Sequence, residues 1–335
     1  MKILVVRRDN IGDLVLTTPV FRALRKRFPE ARIEALVNSY NAPVLENHPD
    51  VDAVYAYVKS KHRVGGATLG GWLERLRQIM GLRESRYDLA LVPRPGFHPR
   101  EVRLARWTAP RQLAAFVAPG RVERGVDLPM ESRQWDGTHH HVEDTYRLLE
   151  SLGIQGPPPP PRLGFPAGVP AAGAALVIGV HASARRPLNR WPPERFAPLM
   201  RSLHAHLGAT FRLFWSPGAE HDARHPGDDG RAHRILADAR DVPVQPRRTT
   251  ELRELIVGLA ACDALICSDG GAMHIAAALG KPIVCFFGSS EAYHWHPWGV
   301  PYRLLQPPSR NVADVGVDEA VRAFLDLAAQ ARLAP

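Results

Sequence analysis

Long apolar runs are missing from these 335 residues, and none approaches the roughly 20 needed to cross a bilayer. No membrane-spanning helix is expected. Cysteine is scarce: Cys262, Cys267 and Cys285 are the only three, without a CxxC spacing. That argues against a zinc site or a disulfide framework and for buried, reduced thiols. Lysine is scarce too, with only five among the 43 basic residues. No GxGxxG follows the first apolar run, which disfavours a nicotinamide-dependent oxidoreductase. Nor does the start read as a secretory signal, because Arg7, Arg8 and Asp9 cut that run short and no small-residue cleavage site follows. A cytoplasmic chain is the expectation.

What is present is the composition of a soluble globular protein, 45% hydrophobic and 23% charged, and the length suits two domains. A formal charge of +9 favours anionic partners: nucleic acid, a phosphorylated small molecule or an anionic membrane face. The arginines are dispersed and no nucleic-acid module is recognisable, so nucleic acid is not expected.

The chain divides at "GIQGPPPPPRLGFPAGVP", residues 153–170, where five successive prolines deny the backbone both helix and central strand. The boundaries follow as a domain over 1–156, a proline-rich linker over 157–170 and a domain over 171–335, its last helix expected to pack back on the first. Before the linker, Ile3 to Val6, Ile33 to Val37, Val51 to Val58 and Leu89 to Val92 read as strands, with amphipathic segments between several of them. Thr18 is the expected N-cap of a helix carrying Pro19 at its first position. After the linker, "ALVIGVHAS", "TFRLFWS" and "DALICSD" read as strands. Helices are expected over about 194–207, ended by Gly208, over "RAHRILADA", and over "TTELRELIVGLAAC" with Thr250 as N-cap. The alternation predicts an α/β protein with two parallel sheets facing a central cleft, and ligands outside the carboxyl ends of the strands.

Two strand-to-helix turns carry the chemistry. In "VRRDNIGDLVLTTPV", a lone Gly12 adjoins Asp13 where a phosphate-binding turn usually has several glycines and no acid. In "ICSDGGAMHIAAALGKPIVCFFGSS", Asp269, Gly270 and Gly271 form a turn before a short helix ended by Gly280. The free N–H groups at that helix start, approachable past two glycines, suit a diphosphate. Asp269 is then an anion beside a phosphate site, tolerable if it accepts hydrogen bonds from sugar hydroxyls. For both aspartates a helix-capping role remains the plain alternative.

"GDLVLTTP", "HASARRPLNRWPPERF", "SDGGAMHIAAALGKP" with "FFGSS", "YDLALVPRP" and "HHHVEDTYRLLESLG" together, in this order and spacing, resemble the lipopolysaccharide heptosyltransferases, glycosyltransferase family 9. The resemblance covers nearly the whole chain. It implies a GT-B fold of two Rossmann-like domains, the first binding acceptor and the second a nucleotide-sugar, ADP-heptose favoured. It implies inverting, metal-independent transfer to a lipopolysaccharide core or related surface glycan, a glycolipid acceptor met in peripheral contact with the inner membrane. No cofactor is expected.

By the same resemblance Asp13 is the catalytic base, and Ser183, Arg185, Asn189, Arg190, Glu220, Asp269, Gly270, Gly271 and His274 bind donor. Gly12, Arg63 and Arg94 bind acceptor. Two departures stand out. Asn189 replaces the family's lysine before "RWP", so Arg185, Arg186 or Arg190 must supply phosphate charge; Gly270 replaces a threonine. These departures keep open a binding homologue that has weakened in catalysis, or a different nucleotide-sugar. His139, His140 and His141 point in different directions from a helix start and do not suggest metal. "YHWHPWG" at 293–299 fits base or sugar stacking, or packing under a loop. "KSKHRVGGATLGG" at 59–71 and "RPGFHPREVRLARW" are basic segments suited to an acceptor or to solvent.

Overall fold

The computed structural model describes residues 1–57, 69–164, 175–220 and 227–333; for 69–75 it describes the backbone. The chain forms two compact units, Met1–Gly164 and Phe165–Pro335. The first runs β1 (Lys2–Val6), α1 (Ile11–Val15), α2 (Thr18–Arg27), β2 (Arg32–Asn38), β3 (Ala53–Tyr57), α3 (Leu69–Glu84), β4 (Leu89–Val92), α4 (Pro99–Trp107), β5 (Gln112–Val117), β6 (Leu128–Glu131) and α5 (His141–Tyr146). The second runs β7 (Val177–His181), α6 (Phe196–Leu207), β8 (Thr210–Trp215), α7 (Asp229–Asp238), β9 (Val244–Arg248), α8 (Leu252–Ala260), β10 (Ala264–Ser268), α9 (Gly271–Ala278), β11 (Ile283–Phe286), α10 (Ala292–Trp295), β12 (Tyr302–Leu305) and α11 (Val317–Ala331).

Each unit holds a six-stranded sheet, ordered β3-β2-β1-β4-β5-β6 and β12-β11-β10-β7-β8-β9. All the pairings are parallel. Counted from its own first strand, each sheet reads 3-2-1-4-5-6, the doubly wound order. Winding reverses between β1 and β4 in one unit and between β7 and β10 in the other. At such a reversal the two outgoing loops diverge and leave a crevice beyond the strand ends.

Strands buried on both faces account for the apolar runs. All residues of β4, β10 and β11 are buried, as helices cover both sides of a parallel sheet. In the first unit Leu4, Val6, Ala90 and Val92 share one core with Ile79 and Leu82 of α3 and with Val102 and Ala105 of α4. In the second, Trp191, Phe196, Phe211, Phe286 and Phe324 centre the core. There α11 packs against α6, β11 and β12.

Local boundaries correct several expectations. The N-cap of α2 is Thr17, one residue before the expected Thr18, whose hydroxyl instead donates to the Val15 carbonyl at 2.8 Å. The N-cap of α8 is Glu251 rather than Thr250, because Glu254 Oε2 draws in both the Thr250 and Glu251 amides. Helix α6 starts at Phe196, after a 3₁₀ turn at Pro193–Arg195, and does end before Gly208, which takes φ 62°. The proline run is tied to the first unit. Arg162 N–H donates to Thr18 Oγ1 at 3.0 Å, and its carbonyl lies 3.0 Å from His48 Nε2. Val58 of the expected third strand lies outside the described residues, as does Arg63.

Candidate active site

The β1–β4 reversal gathers a charged cluster. Leaving β1, the chain turns through Arg7 to Asn10 with its carbonyls held from the β2 side: Asn38 Nδ2 donates to the Arg8 and Asp9 carbonyls at 2.6 and 3.0 Å, and Asn41 Nδ2 to that of Asp9 at 2.8 Å. This anchoring fixes where α1 begins. Asp13 is the third residue of α1, and its Oδ2 accepts the Asn10 amide and the Asn10 side-chain nitrogen, both at 3.0 Å. So Asp13 does serve the helix start, as the acidic half of a capping box, but with one oxygen only.

The other oxygen, Oδ1, faces Arg7 Nη2 at 3.5 Å and His141 Nε2 at 3.6 Å. Arg7 is fully buried. Its guanidinium donates to the Pro93 carbonyl, lies 3.2 Å from Asp9 Oδ2 and 3.2 Å from His141 Nε2. A buried cation of this kind is sustainable only with such partners. Asp9 is held from the far side by Arg94 Nη1 at 3.0 Å, and that same nitrogen lies 2.5 Å from Glu101. The structure thus brings the expected Asp13 and Arg94 into one network, and Gly12 lies half-buried in the first turn of α1. Arg7, Asp9 and His141 were not among the residues expected here. The signal was faint: Arg7 and Asp9 flank the end of β1, and His141 is the third of three adjacent histidines. His139 instead turns toward Thr138 Oγ1 at 2.8 Å, and His140 Nδ1 accepts the Val142 amide at 3.1 Å.

The β7–β10 reversal gathers most of the expected donor residues. The loop after β7 is pinned by Trp191, whose indole N–H donates to the Val315 carbonyl at 2.9 Å and whose ring packs on Phe196 and Phe286. Next to it, Asn189 is only 3% exposed. Its amide nitrogen lies 3.4 Å from Asp269 Oδ2 and 3.5 Å from Ser290 Oγ, while its Oδ1 accepts the Ser289 amide at 3.3 Å. Ser290 Oγ donates to the same Asp269 oxygen at 2.5 Å. The loops after β7, β10 and β11 are therefore knotted through Asn189, Asp269 and Ser290. Gly288 permits this: a Cβ there would lie 2.2 Å from the Leu188 carbonyl oxygen and 2.5 Å from Asn189 Oδ1.

Helix α9 starts with Gly270 as N-cap, not Asp269, followed by Gly271. Gly270 has φ 163°, extended backbone open to any residue, and an added Cβ would meet nothing within 4 Å. Ser183 Oγ accepts the Ser216 amide at 3.0 Å. It also donates to buried Asp228, whose carboxyl is pushed up by burial against the opposing pull of that bond and of Arg190 and Arg231. Arg190 Nη1 pairs with Glu220 at 2.8 Å, while its Nε donates to the Ala184 carbonyl. Arg185 and Arg186 are exposed on the same loop. His274 is buried in α9 with its ring 6.4 Å from that of Trp295. In the 293–299 segment, His296 stacks on Trp298 and Tyr302. All three cysteines are free and buried, and burial pushes the Cys262 thiol up to about 11. Among the described residues, no group of three His, Cys, Asp or Glu is placed to hold a metal ion, and no helix is long and apolar enough to cross a membrane.

The sequence profile of "Glycosyltransferase family 9 (heptosyltransferase)" matches residues 75–316. The chain belongs to that family. As a family 9 protein it is a glycosyltransferase. It is 26% identical to lipopolysaccharide heptosyltransferase 2 of Salmonella typhimurium over 324 residues, 91% of this chain and 88% of the relative. Among solved structures it is similar to the Escherichia coli ADP-heptose lps heptosyltransferase II, with a TM-score of 0.77, 22% identity and 99% and 100% of the two chains covered. It is also similar to E. coli heptosyltransferase WaaC with ADP, with a TM-score of 0.79, 19% identity and 97% and 99% covered. At these identities the likeness shows the fold, the two-sheet α/β architecture expected from the family 9 motifs.

Proposed function

We propose that this family 9 glycosyltransferase moves a heptose from ADP-heptose to a lipopolysaccharide core or related surface glycan, with inversion and without a metal. The observation that carries this reading is Asp13, at the strand-end reversal: one oxygen is fixed by Asn10, and the other lies 3.5 Å from a buried arginine. A sugar hydroxyl is a poor nucleophile, and an inverting displacement needs one carboxylate to take its proton. Asp9, the neighbouring acid, is held by two arginines, Arg7 at 3.2 Å and Arg94 at 3.0 Å, whereas Asp13 lies 3.5 Å from Arg7, which favours Asp13 for that task. Charge growing on the departing diphosphate would be met by the N–H groups at the start of α9 and by Arg185, Arg186 or Arg190. The names of the relatives support ADP-heptose as donor and lipopolysaccharide as acceptor.

A cytoplasmic enzyme meeting a lipid-linked acceptor needs a membrane-facing surface, and α4 offers one. Arg100, Arg103 and Trp107 are exposed along it, a combination suited to anionic headgroups. Arg94, just before α4, is proposed to meet acceptor phosphate, together with Arg63.

The test is ADP release from ADP-heptose with a heptose-deficient lipopolysaccharide core, followed by anomeric analysis of the product. Asp13→Asn keeps the side-chain shape, and its turnover is expected to fall by about 10²–10⁴-fold. Full turnover by that variant would sink the mechanism. Binding of ADP-heptose with no turnover by the native chain would favour the weakened homologue, which the buried Asn189 in place of lysine motivates.

A further inference from the structure

Three groups meet at the β1–β4 reversal, and their donor and acceptor capacities do not match at random. A guanidinium can only donate, so His141 Nε2, 3.2 Å from Arg7 Nη2, turns its lone pair toward it. The ring proton is then on Nδ1. Asp13 Oδ1 lies 3.5 Å from the same Nη2 and 3.6 Å from the same Nε2. The oxygen and the ring nitrogen are two acceptors flanking one donor, and at 3.6 Å they are not hydrogen-bonded to each other, in keeping with two atoms that carry no proton. The other carboxylate oxygen is already filled by two donors from Asn10.

We propose that His141 is the positioning residue of the base: when Asp13 takes the proton of the acceptor hydroxyl, that proton settles on Oδ1 and is donated to His141 Nε2, whose single lone pair turns to it from the Arg7 N–H while Arg7 Nη2 keeps Asp9 at 3.2 Å. The inference rests on Asp13 being the base. The acceptor O–H bond breaks as its oxygen forms a bond to the anomeric carbon. The bond from that carbon to the diphosphate oxygen breaks, and its electron pair leaves on the diphosphate. The proton stays on Oδ1, bonded to Nε2, and Arg7 remains a cation throughout.

The division of labour follows from charge. Arg7 stabilises the ionised carboxylate that begins the step, and by itself would hinder proton uptake. His141 supplies the opposite preference, because a neutral imidazole acceptor stabilises the protonated carboxyl that ends the step. Burial of both, with Arg7 fully buried and His141 8% exposed, keeps water from replacing either partner.

The experiment reads the imidazole nitrogens of the full chain by ¹⁵N NMR at neutral pH, with the His141 signals identified by their loss in His141→Phe. A neutral ring protonated on Nδ1 is expected; a ring protonated on Nε2 would overturn the proposal. In the ADP-release assay, His141→Phe is expected to lower kcat about 10–100-fold with the donor KM unchanged, and His141→Gln, whose carbonyl oxygen accepts, to recover part of it. Native kcat in His141→Phe, with Asp13→Asn inactive, would refute the role of His141 and leave the base standing. Native kcat in Asp13→Asn would instead refute the base itself. Should His141→Phe not fold, the tautomer decides, its signal identified in the native chain by its response to Asp13→Asn.

Discussion

Asn189 spans from Asp269 to Ser289, its nitrogen 3.4 Å from the Asp269 carboxylate and its oxygen 3.3 Å from the Ser289 amide. A side chain bonded at both ends and 3% exposed ties loops together. Asn189→Ala strands the Ser289 N–H and is expected to cost about 1–3 kcal/mol in a urea melt, with donor nucleotide affinity falling alongside. Weakened binding at native stability would assign Asn189 to the donor instead.

Gly270→Thr installs the threonine that the family resemblance implies at this position. The backbone there is extended and the site open, so the melting temperature is expected to stay within a few degrees of native. A new hydroxyl beside the start of α9 is expected to tighten ADP binding, read by titration calorimetry. Strong destabilisation would mean that the turn needs glycine for a reason its geometry does not reveal.

Arg7→Met removes the buried cation and leaves Asp9 and Asp13 facing each other across the gap. Breaking a buried pair from one side costs about 3–5 kcal/mol, and that loss is expected in chemical denaturation. Arg7→Lys keeps the charge but not the fork that reaches Pro93, Asp9 and His141 together, so it should recover only part.

Asp229 sets an acid limit on the second unit. The Trp215 indole N–H first, then the Gly218 amide and Arg248, hold its carboxyl at about 2 against an ordinary 3.8. Because the folded value lies below the unfolded one, this stability is present above about pH 4 and lost as pH falls toward 2. Asp229→Asn is expected to flatten that segment of a stability-against-pH curve, by about 1 kcal/mol once screening by solvent is allowed for. An unchanged curve would refute the assignment.

The doubly wound halves were legible because strands such as β4 and β10 are buried along their whole length and apolar but for Ser268. Two edge strands were not: β9 is Val-Gln-Pro-Arg-Arg with four of its five residues exposed, and β6 alternates exposure with a proline inside it, so neither carries a burial signal. β5 was passed over although it is buried, since its two alanines dilute the apolar run. Asp13 was legible from its odd place beside a single glycine. His141 was not, for it reaches Asp13 across 128 positions of sequence, and only the folded sheet brings the start of α5 to the end of β1. Asn189 was read as a donor-binding residue standing in for a lysine; that it is buried and bonded between Asp269 and Ser289 was not legible. One residue of local spacing cannot distinguish a side chain facing solvent from one folded under its own loop.

The two oxygens of Asp13 give position 13 an unusual place in the inheritance of this chain. One closes the first turn of a five-residue helix and the other faces Arg7 and His141, so selection for folding and selection at that cluster fall on the same codon. Drift there has no silent route, since a change harmless to one oxygen is felt by the other. Asn10, which holds only the capping oxygen, inherits the same constraint at one remove, and substitutions at 10 and 13 should be read as a pair when variants of this chain are compared.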